Sequence, residues 1–340
     1  MRRSVYCLLA LMVIFAAGPG PSARAQEKPT KILVSLGDVS LNKLIFVIAQ
    51  EEGIYQKNGL QIEQYITPHA AWVVRNSGVH IPPEYIKSFE EPPPISIGGG
   101  SPHMVNTATN SRADRRVIVA STDNIVRWHV IARPEIKKLE DLKGKKIGYS
   151  SYGAMTHFMA KVFAQRMGWD PDQDISMMSN ALAVDTLQDG RVDAFIGDEV
   201  ARTMAASAGF NPLQDMKEWN IPIAGSGINV EQNYFKQNRE AVKRFVKSCI
   251  EATALMKRSR EVAARGMGKW YNIQKTEQQH MIWAYAASLP QKPYPAVAGI
   301  KKVMELFNSL EMRRYKPEDF YDDSIVRELD QSGYIDSLYK

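Results

Sequence analysis

From Lys31 onward the apolar positions switch between a period of two and a period near 3.6, which predicts alternating strands and helices. Residues 31–35 form a short β-type run, and residues 41–52 have helical apolar spacing that stops at Gly53. Residues 60–66 alternate with period two, as a strand with one wet face does, and a helix follows from Ala70. Residues 95–97, 117–120 and 129–132 are further strands. A short helical turn at 139–142 leads into another strand, then a loop at 150–153 and a helix over about 154–167. Residues 184–188, ending at Gly190, predict a helix and its stop, and residues 192–196 a strand. Residues 221–230 are extended and glycine-punctuated. The chain beyond is nearly all helical, with breaks near Pro290, Pro293, Pro295 and Pro317. Strand–helix alternation at these spacings predicts an α/β architecture with largely parallel sheets. Two strands share a signature: Ile95-Ser-Ile-Gly-Gly99 and Phe195-Ile-Gly-Asp-Glu199 each run from apolar residues into a polar loop. Two sheets that each end in such a loop would suit two lobes facing one cleft.

Composition fits this picture. Of 340 residues, 44% are hydrophobic and 24% charged, which excludes collagen-like and disordered chains and allows roughly two domains. The formal charge of +6 includes Arg2, Arg3 and Arg24, none of which is balanced by an acid in the first 25 residues. What remains is too small and too dispersed to point to nucleic acid. Those first residues have the order of a secretory signal: two arginines, an apolar run over 5–17, the breaker Gly18-Pro-Gly-Pro21, and Ala23-Arg-Ala25 before Gln26. The apolar run is shorter than the ~20 residues that a spanning helix needs. A signal peptide at 1–25, cleaved on export to the periplasm, is the expectation, with an uncleaved anchor as the alternative. Cys7 precedes the apolar core, so Cys249 is left as the lone thiol of the mature chain, and its helical run suggests a buried structural role.

Several chemistries lack their motifs. Gly144-Lys145-Lys146 has no upstream glycine for a phosphate-cradling loop, and Ser226 between glycines has no nucleophile-elbow context. No two of the six histidines sit three or four residues apart. A metal site would therefore have to be assembled in space from His69, His103 and an acid. No cofactor and no metal are expected.

Particular runs carry a resemblance. Ile32-Leu-Val-Ser35 is followed by Ala49-Gln-Glu-Glu-Gly-Ile-Tyr-Gln-Lys-Asn-Gly-Leu-Gln-Ile-Glu63. Further on come Leu139-Glu-Asp-Leu-Lys-Gly-Lys-Lys-Ile-Gly148, Gly190-Arg-Val-Asp-Ala194 and the helix-like Tyr234 to Phe245. In this order they resemble the sulfonate/nitrate/taurine-type substrate-binding proteins of ABC importers, a group that includes binders of thiamine-pyrimidine precursors. One departure is the proline-rich stretch 78–94, where the family has a compact helix. The resemblance implies a type II periplasmic-binding-protein fold with two hinge crossings. Lobe one would comprise 29–121 plus 230–340 and lobe two 122–229, the lobes closing on a small organic molecule that is anionic or aromatic and heterocyclic. It also implies a monomer that delivers this ligand to a permease and its ATPase in the inner membrane. An enzyme on the same fold, acting on pyrimidine precursors or as a decarboxylase, is the alternative, and a sensor that docks on a membrane protein is a third reading.

Ligands of open α/β sheets bind beyond the carboxyl ends of the strands, which nominates the loops there. Asp38 and Ser40 lie in the first, Trp72 in the second, and Gly100 and Ser101 in the third. Asp123 and Asn124 follow the fourth strand. Ser151, Tyr152, Thr156 and His157 lie in the loop that opens a helix, where free N–H groups favour an anionic group unless a serine merely caps the helix. Asp198 and Glu199 close the set and pull the other way, toward a ligand with N–H or O–H donors. Asp38 and Asp123 could equally hold their own turns, and Trp72 and Trp128 could be core.

Overall fold

The computed structural model describes residues 28–74, 79–98, 100–110 and 115–340, so the expected signal peptide lies outside the described residues. No helix among them is long and apolar enough to cross a membrane.

The strands form two five-stranded sheets. The first contains β1 (Thr30–Ser35), β2 (Leu60–Tyr65), β3 (Ile95–Gly98) and β4 (Arg116–Ser121). The second contains β5 (His129–Ala132), β6 (Lys146–Gly148), β7 (Ser176–Met178), β8 (Ala194–Gly197) and β9 (Asn211–Asp215). The chain then returns to the first sheet as β10 (Gly227–Glu231). The orders are β2-β1-β3-β10-β4 and β7-β6-β8-β5-β9. In each, three parallel strands adjoin one antiparallel strand that arrives from the other sheet's side. The carboxyl ends of β1, β3, β6 and β8 therefore face one cleft.

The first sheet's strands are rich in β-branched residues, and the helices on it supply large apolar faces. The helix Leu44–Glu51 is buried all round from Leu44 to Ala49, which accounts for the unbroken apolar run there. The helix Arg239–Arg258 is amphipathic, with Glu240 in its first turn and Lys257 and Arg258 in its last, each sign matched to the helix dipole. Its Phe245 stacks on Tyr55 at 5.4 Å and on Phe46 at 6.3 Å. The second core gathers Ile147, Phe158, Phe163 and Ile196. The segment from Ile300 to Phe320 shares that cluster with Met104 and Ile118, and the Ile118 N–H of β4 donates to the Phe320 carbonyl at 2.9 Å, so the segment ties the first sheet's edge strand to the second core. The proline-rich stretch, described from Val79, pairs Ile86 with Ile66 beyond β2 and sets Tyr85 against Trp270 at 4.3 Å.

Two crossings join the sheets, and they are bonded to each other. The Thr122 N–H donates to the Ser226 carbonyl at 3.2 Å, Val126 to Ile221 at 2.8 Å and Ile223 to Asn124 at 3.1 Å. Gly225 makes this approach possible: its φ is +63°, and a Cβ there would lie 1.8 Å from the Asp123 carbonyl oxygen. Gly299 lets the helix Val297–Leu306 lie on the second crossing, because a Cβ would fall 1.9 Å from the Ile223 carbonyl carbon.

Candidate ligand-binding site

A cavity of about 460 Å³ lies between the sheets at the strand ends. The first lobe contributes residues 37–40, His69 and Ala70, the end of β3, Gly100, Pro102 and His103. The second contributes Trp128, Ser150, Ser151, residues 154–156, Leu182, the end of β8, Asp198, Val200 and Ala201. The paired signatures at Ile95 and Phe195 thus form opposite walls, with Ser96, Ile97 and Gly98 facing Phe195, Ile196 and Gly197 across the same space. No lysine or arginine lines it among the described residues.

Six of the nominated residues lie on this wall: Asp38, Ser40, Gly100, Ser151, Thr156 and Asp198. Asp38 also holds its own turn, accepting from the Ser40 N–H at 2.8 Å and pairing with Lys43 at 3.3 Å. Thr156 Oγ1 accepts from the Ser150 N–H at 2.9 Å. The helix Met155–Arg166 begins at Ala154 with no side-chain cap, so neither Ser150 nor Ser151 closes its N-terminus. Ser101 opens the helix Ser101–Thr109 beside the wall residues Gly100, Pro102 and His103.

The remaining nominees lie elsewhere. Trp72 is half exposed and off the wall, its ring stacked 6.3 Å from His69, which is on it. Asp123 turns into the hinge, where it is buried and pairs with Arg127 at 2.8 Å; Arg127 in turn donates to Ser288 at 3.0 Å. Burial pushes the Asp123 carboxyl up, and the Arg127 guanidinium opposes that shift. Asn124 is exposed beside it. Glu199 is taken up by His129 at 2.6 Å and by Arg202. Burial acts to raise its carboxyl, but these two hydrogen bonds hold it below the ordinary carboxylate value. Tyr152 and His157 face a separate crevice of about 710 Å³ with Tyr149 and Phe307. The loop at 150–157 therefore presents some residues to the cleft and others to this crevice.

Asp198 has a second role. Oδ1 accepts from the Ala201 N–H at 3.0 Å and caps the helix Glu199–Ser207, while Oδ2 accepts from the Leu41 N–H of the opposite lobe at 2.6 Å. One carboxylate thus ties the two sides of the cleft together. Burial raises its pKa, and the two N–H donors oppose that. Val200, on the same helix, is part of the first lobe's core, so the lobes are in contact here.

Among the wall residues that sequence reasoning passed over are His103 and Asn229. His103 lies in a nominated loop but drew attention only as a metal ligand, and among the described residues no group of three His, Cys, Asp or Glu is placed to hold a metal ion. Its Nε2 bonds the Arg116 carbonyl at 3.0 Å and must therefore carry the proton, leaving Nδ1 a bare acceptor. Asn229 interrupts the apolar strand Ile228-Asn-Val230, and that polar break was its available signal.

Burial pushes the imidazoles of His103 and His157 down to about 4 from an ordinary 6.5. Between these values the unfolded chain binds protons that the folded chain does not, so stability falls as the pH is lowered from about 6.5 to about 4. Urea midpoints measured across that window should fall less steeply for the His103→Gln/His157→Gln double variant than for the parent. Equal slopes would show that these rings do not carry the effect.

Two sheets of this shared order, two bonded crossings and a cleft between strand ends define the two-lobe periplasmic-binding-protein fold. Comparisons with known proteins agree. A family model described as NMT1/THI5 like matches residues 106–262. The periplasmic nitrate-binding protein NrtA from Synechocystis PCC 6803 superposes with a TM-score of 0.72 at 13% identity, covering 92% of this chain and 91% of its own. The alkanesulfonate-binding protein SsuA from Xanthomonas axonopodis pv. citri, bound to MOPS, gives 0.62 at 16% identity, covering 85% and 96%. The desulfurization enzyme DSZB gives 0.52 at 14% identity, covering 89% and 99%. At these identities the likeness is one of fold. No curated protein sequence matches the chain.

Proposed function

We propose that the chain is the periplasmic solute-binding component of an ABC importer, closing two lobes over a small organic molecule and handing it to a permease. The observation that carries this reading is the cavity of about 460 Å³ shared between two sheets that the bonded crossings and the C-terminal segment join. Its size suits a small ligand. The nitrate- and sulfonate-binding proteins of the same fold, together with the expected export signal, support it.

The enzyme alternative draws on the likeness to DSZB. A thiol nucleophile would need an exposed site that favours the thiolate. Cys249 is buried in the helix Arg239–Arg258, off the cavity wall, and burial pushes its thiol up. Among the described residues no hydroxyl of the cavity wall is hydrogen-bonded to a histidine. These placements favour capture over turnover.

Thermal shifts measured against sulfonates, nitrate, aromatic carboxylates and aminopyrimidines test the reading. A cognate ligand at ~100 times its Kd should add ~2.7 kcal/mol of stability. X-ray scattering should then show a smaller radius of gyration, with the ligand recovered unchanged. Recovery of a reaction product from the pure protein would overturn the proposal in favour of the enzyme.

A further inference from the structure

We propose that the crevice beside the cleft is a second ligand site, one that takes a flat aromatic carboxylate, with the acid group on His157 and Lys161 and the ring among Tyr152, Leu306 and Phe307. It does not depend on the solute-binding reading of the cleft. The crevice measures about 710 Å³, a size that suits a small molecule. Three parts of the fold enclose it: the helix Ser101–Thr109 through Val105 and Thr109, the segment 306–312, and the second lobe from Tyr149 to Met177. None of its lining residues lines the cleft. Tyr152 and His157, which the strand-end rule nominated for the cleft, belong to this space instead.

The polar end of the site comes from one helix face. His157 and Lys161 stand one turn apart on the helix Met155–Arg166 and both line the crevice. His157 Nδ1 accepts from the Gly153 N–H at 3.0 Å, which places the proton of the neutral ring on Nε2. That Nε2–H has no protein acceptor among the described residues, and it is not sealed from the crevice. Lys161 gives one of its three ammonium protons to Asp172 at 3.2 Å. Two spare N–H donors side by side call for an acceptor, and the two oxygens of a carboxylate can take both. Asp172 is the one acid on this wall, and its side chain is 72% exposed, so water screens its repulsion of a bound anion.

The other end is aromatic. Tyr149 stacks on the His157 ring at 4.7 Å, Tyr152 leans on it at 5.1 Å, and Phe307 meets it edge-on at 5.7 Å. Tyr152 and Phe307 lie 6.4 Å apart. Such rings favour a flat aromatic guest through stacked and edge contacts. Tyr152 is nonetheless 74% exposed, as is Leu310 at 73%, next in the chain to the lining residue Ser309. Large apolar side chains left in water beside a pocket gain by being covered. An inorganic anion would leave these rings uncovered, and an uncharged ring would leave the N–H donors unused.

The test titrates 2-naphthoate, 2-naphthylmethanol and cyclohexanecarboxylate into the leaderless protein by calorimetry. The naphthoate should bind roughly tenfold or more tighter than either the alcohol, which lacks the charge, or the cyclohexane acid, which lacks the flat ring. Lys161→Met should weaken the naphthoate about tenfold or more, and Tyr152→Ala about three- to tenfold. Gly98→Phe separates the two spaces: Gly98 lines the cleft and a Cβ there meets nothing within 4 Å, so the ring fills the cleft and should leave naphthoate binding unchanged. Tyr152 is exposed, so its removal spares the fold, and the comparison of the three compounds needs no variant at all. Absence of naphthoate binding, equal affinities across the three compounds, or affinity indifferent to both Lys161→Met and Tyr152→Ala would overturn the proposal. Loss of binding in Gly98→Phe alone would overturn it too, while placing the acid in the cleft and so supporting solute capture there.

Discussion

Alanine in place of Gly225 should destabilise the protein by about 3 kcal/mol or more, seen as a lower urea midpoint. Two costs combine. The left-handed φ of +63° costs an L-residue about 1–2 kcal/mol. The added methyl would also sit 1.8 Å from the Asp123 oxygen and 2.7 Å from its carbonyl carbon, both backbone atoms of the partner crossing. Relief requires the two crossings to separate, which breaks the hydrogen bonds between residues 122–126 and 221–226. Gly168→Ala is the control, because it shares the left-handed φ at +73° but meets nothing within 4 Å. Its loss should stop near the conformational cost. If both variants lose the same stability, the close approach at the hinge is not what Gly225 provides.

Replacing Asp198 with alanine should weaken ligand binding by about 1.5–3 kcal/mol, roughly ten- to a hundredfold, because it removes a charge-assisted hydrogen bond that forms only when the lobes meet. A ligand that needs the closed form binds more weakly in proportion to the closed fraction lost. Scattering of the ligand-free variant should accordingly give a larger radius of gyration than the parent. Loss of the helix cap adds about 1 kcal/mol of ordinary destabilisation, which the melting temperature reports separately. Asp198→Asn, which keeps one acceptor oxygen, should fall between the two. Unchanged affinity in the alanine variant would mean that the Leu41 contact does not govern closure.

The strands of both lobe centres were legible because each is a compact β-branched run bounded by glycine or polar residues, as at 31–35, 95–97 and 192–196. β7 and β9 were not. They are edge strands, where pairing on one side tolerates Ser-Met-Met and even the proline at position 212 of β9. The strand-end rule reached Asp38, Gly100, Ser151 and Asp198 because it depends only on strand polarity. It also nominated Asp123 and Glu199, whose partners Arg127 and His129 draw them inward. Pairings such as Asp198 with Leu41, far apart in the chain, leave no local trace. The division of residues 150–157 between two spaces likewise arises only once the loop has folded.

The isolation of Cys249 makes the protein convenient for optical work. It is the free cysteine among the described residues, it is buried, and it is held as the thiol, so maleimide dyes at neutral pH should leave it unmodified. Cysteines introduced at exposed Gln61 on β2 and at exposed Tyr152 beyond β6 would then take donor and acceptor fluorophores without prior removal of the native sulfur. Energy transfer between them would follow single molecules as they shut and reopen.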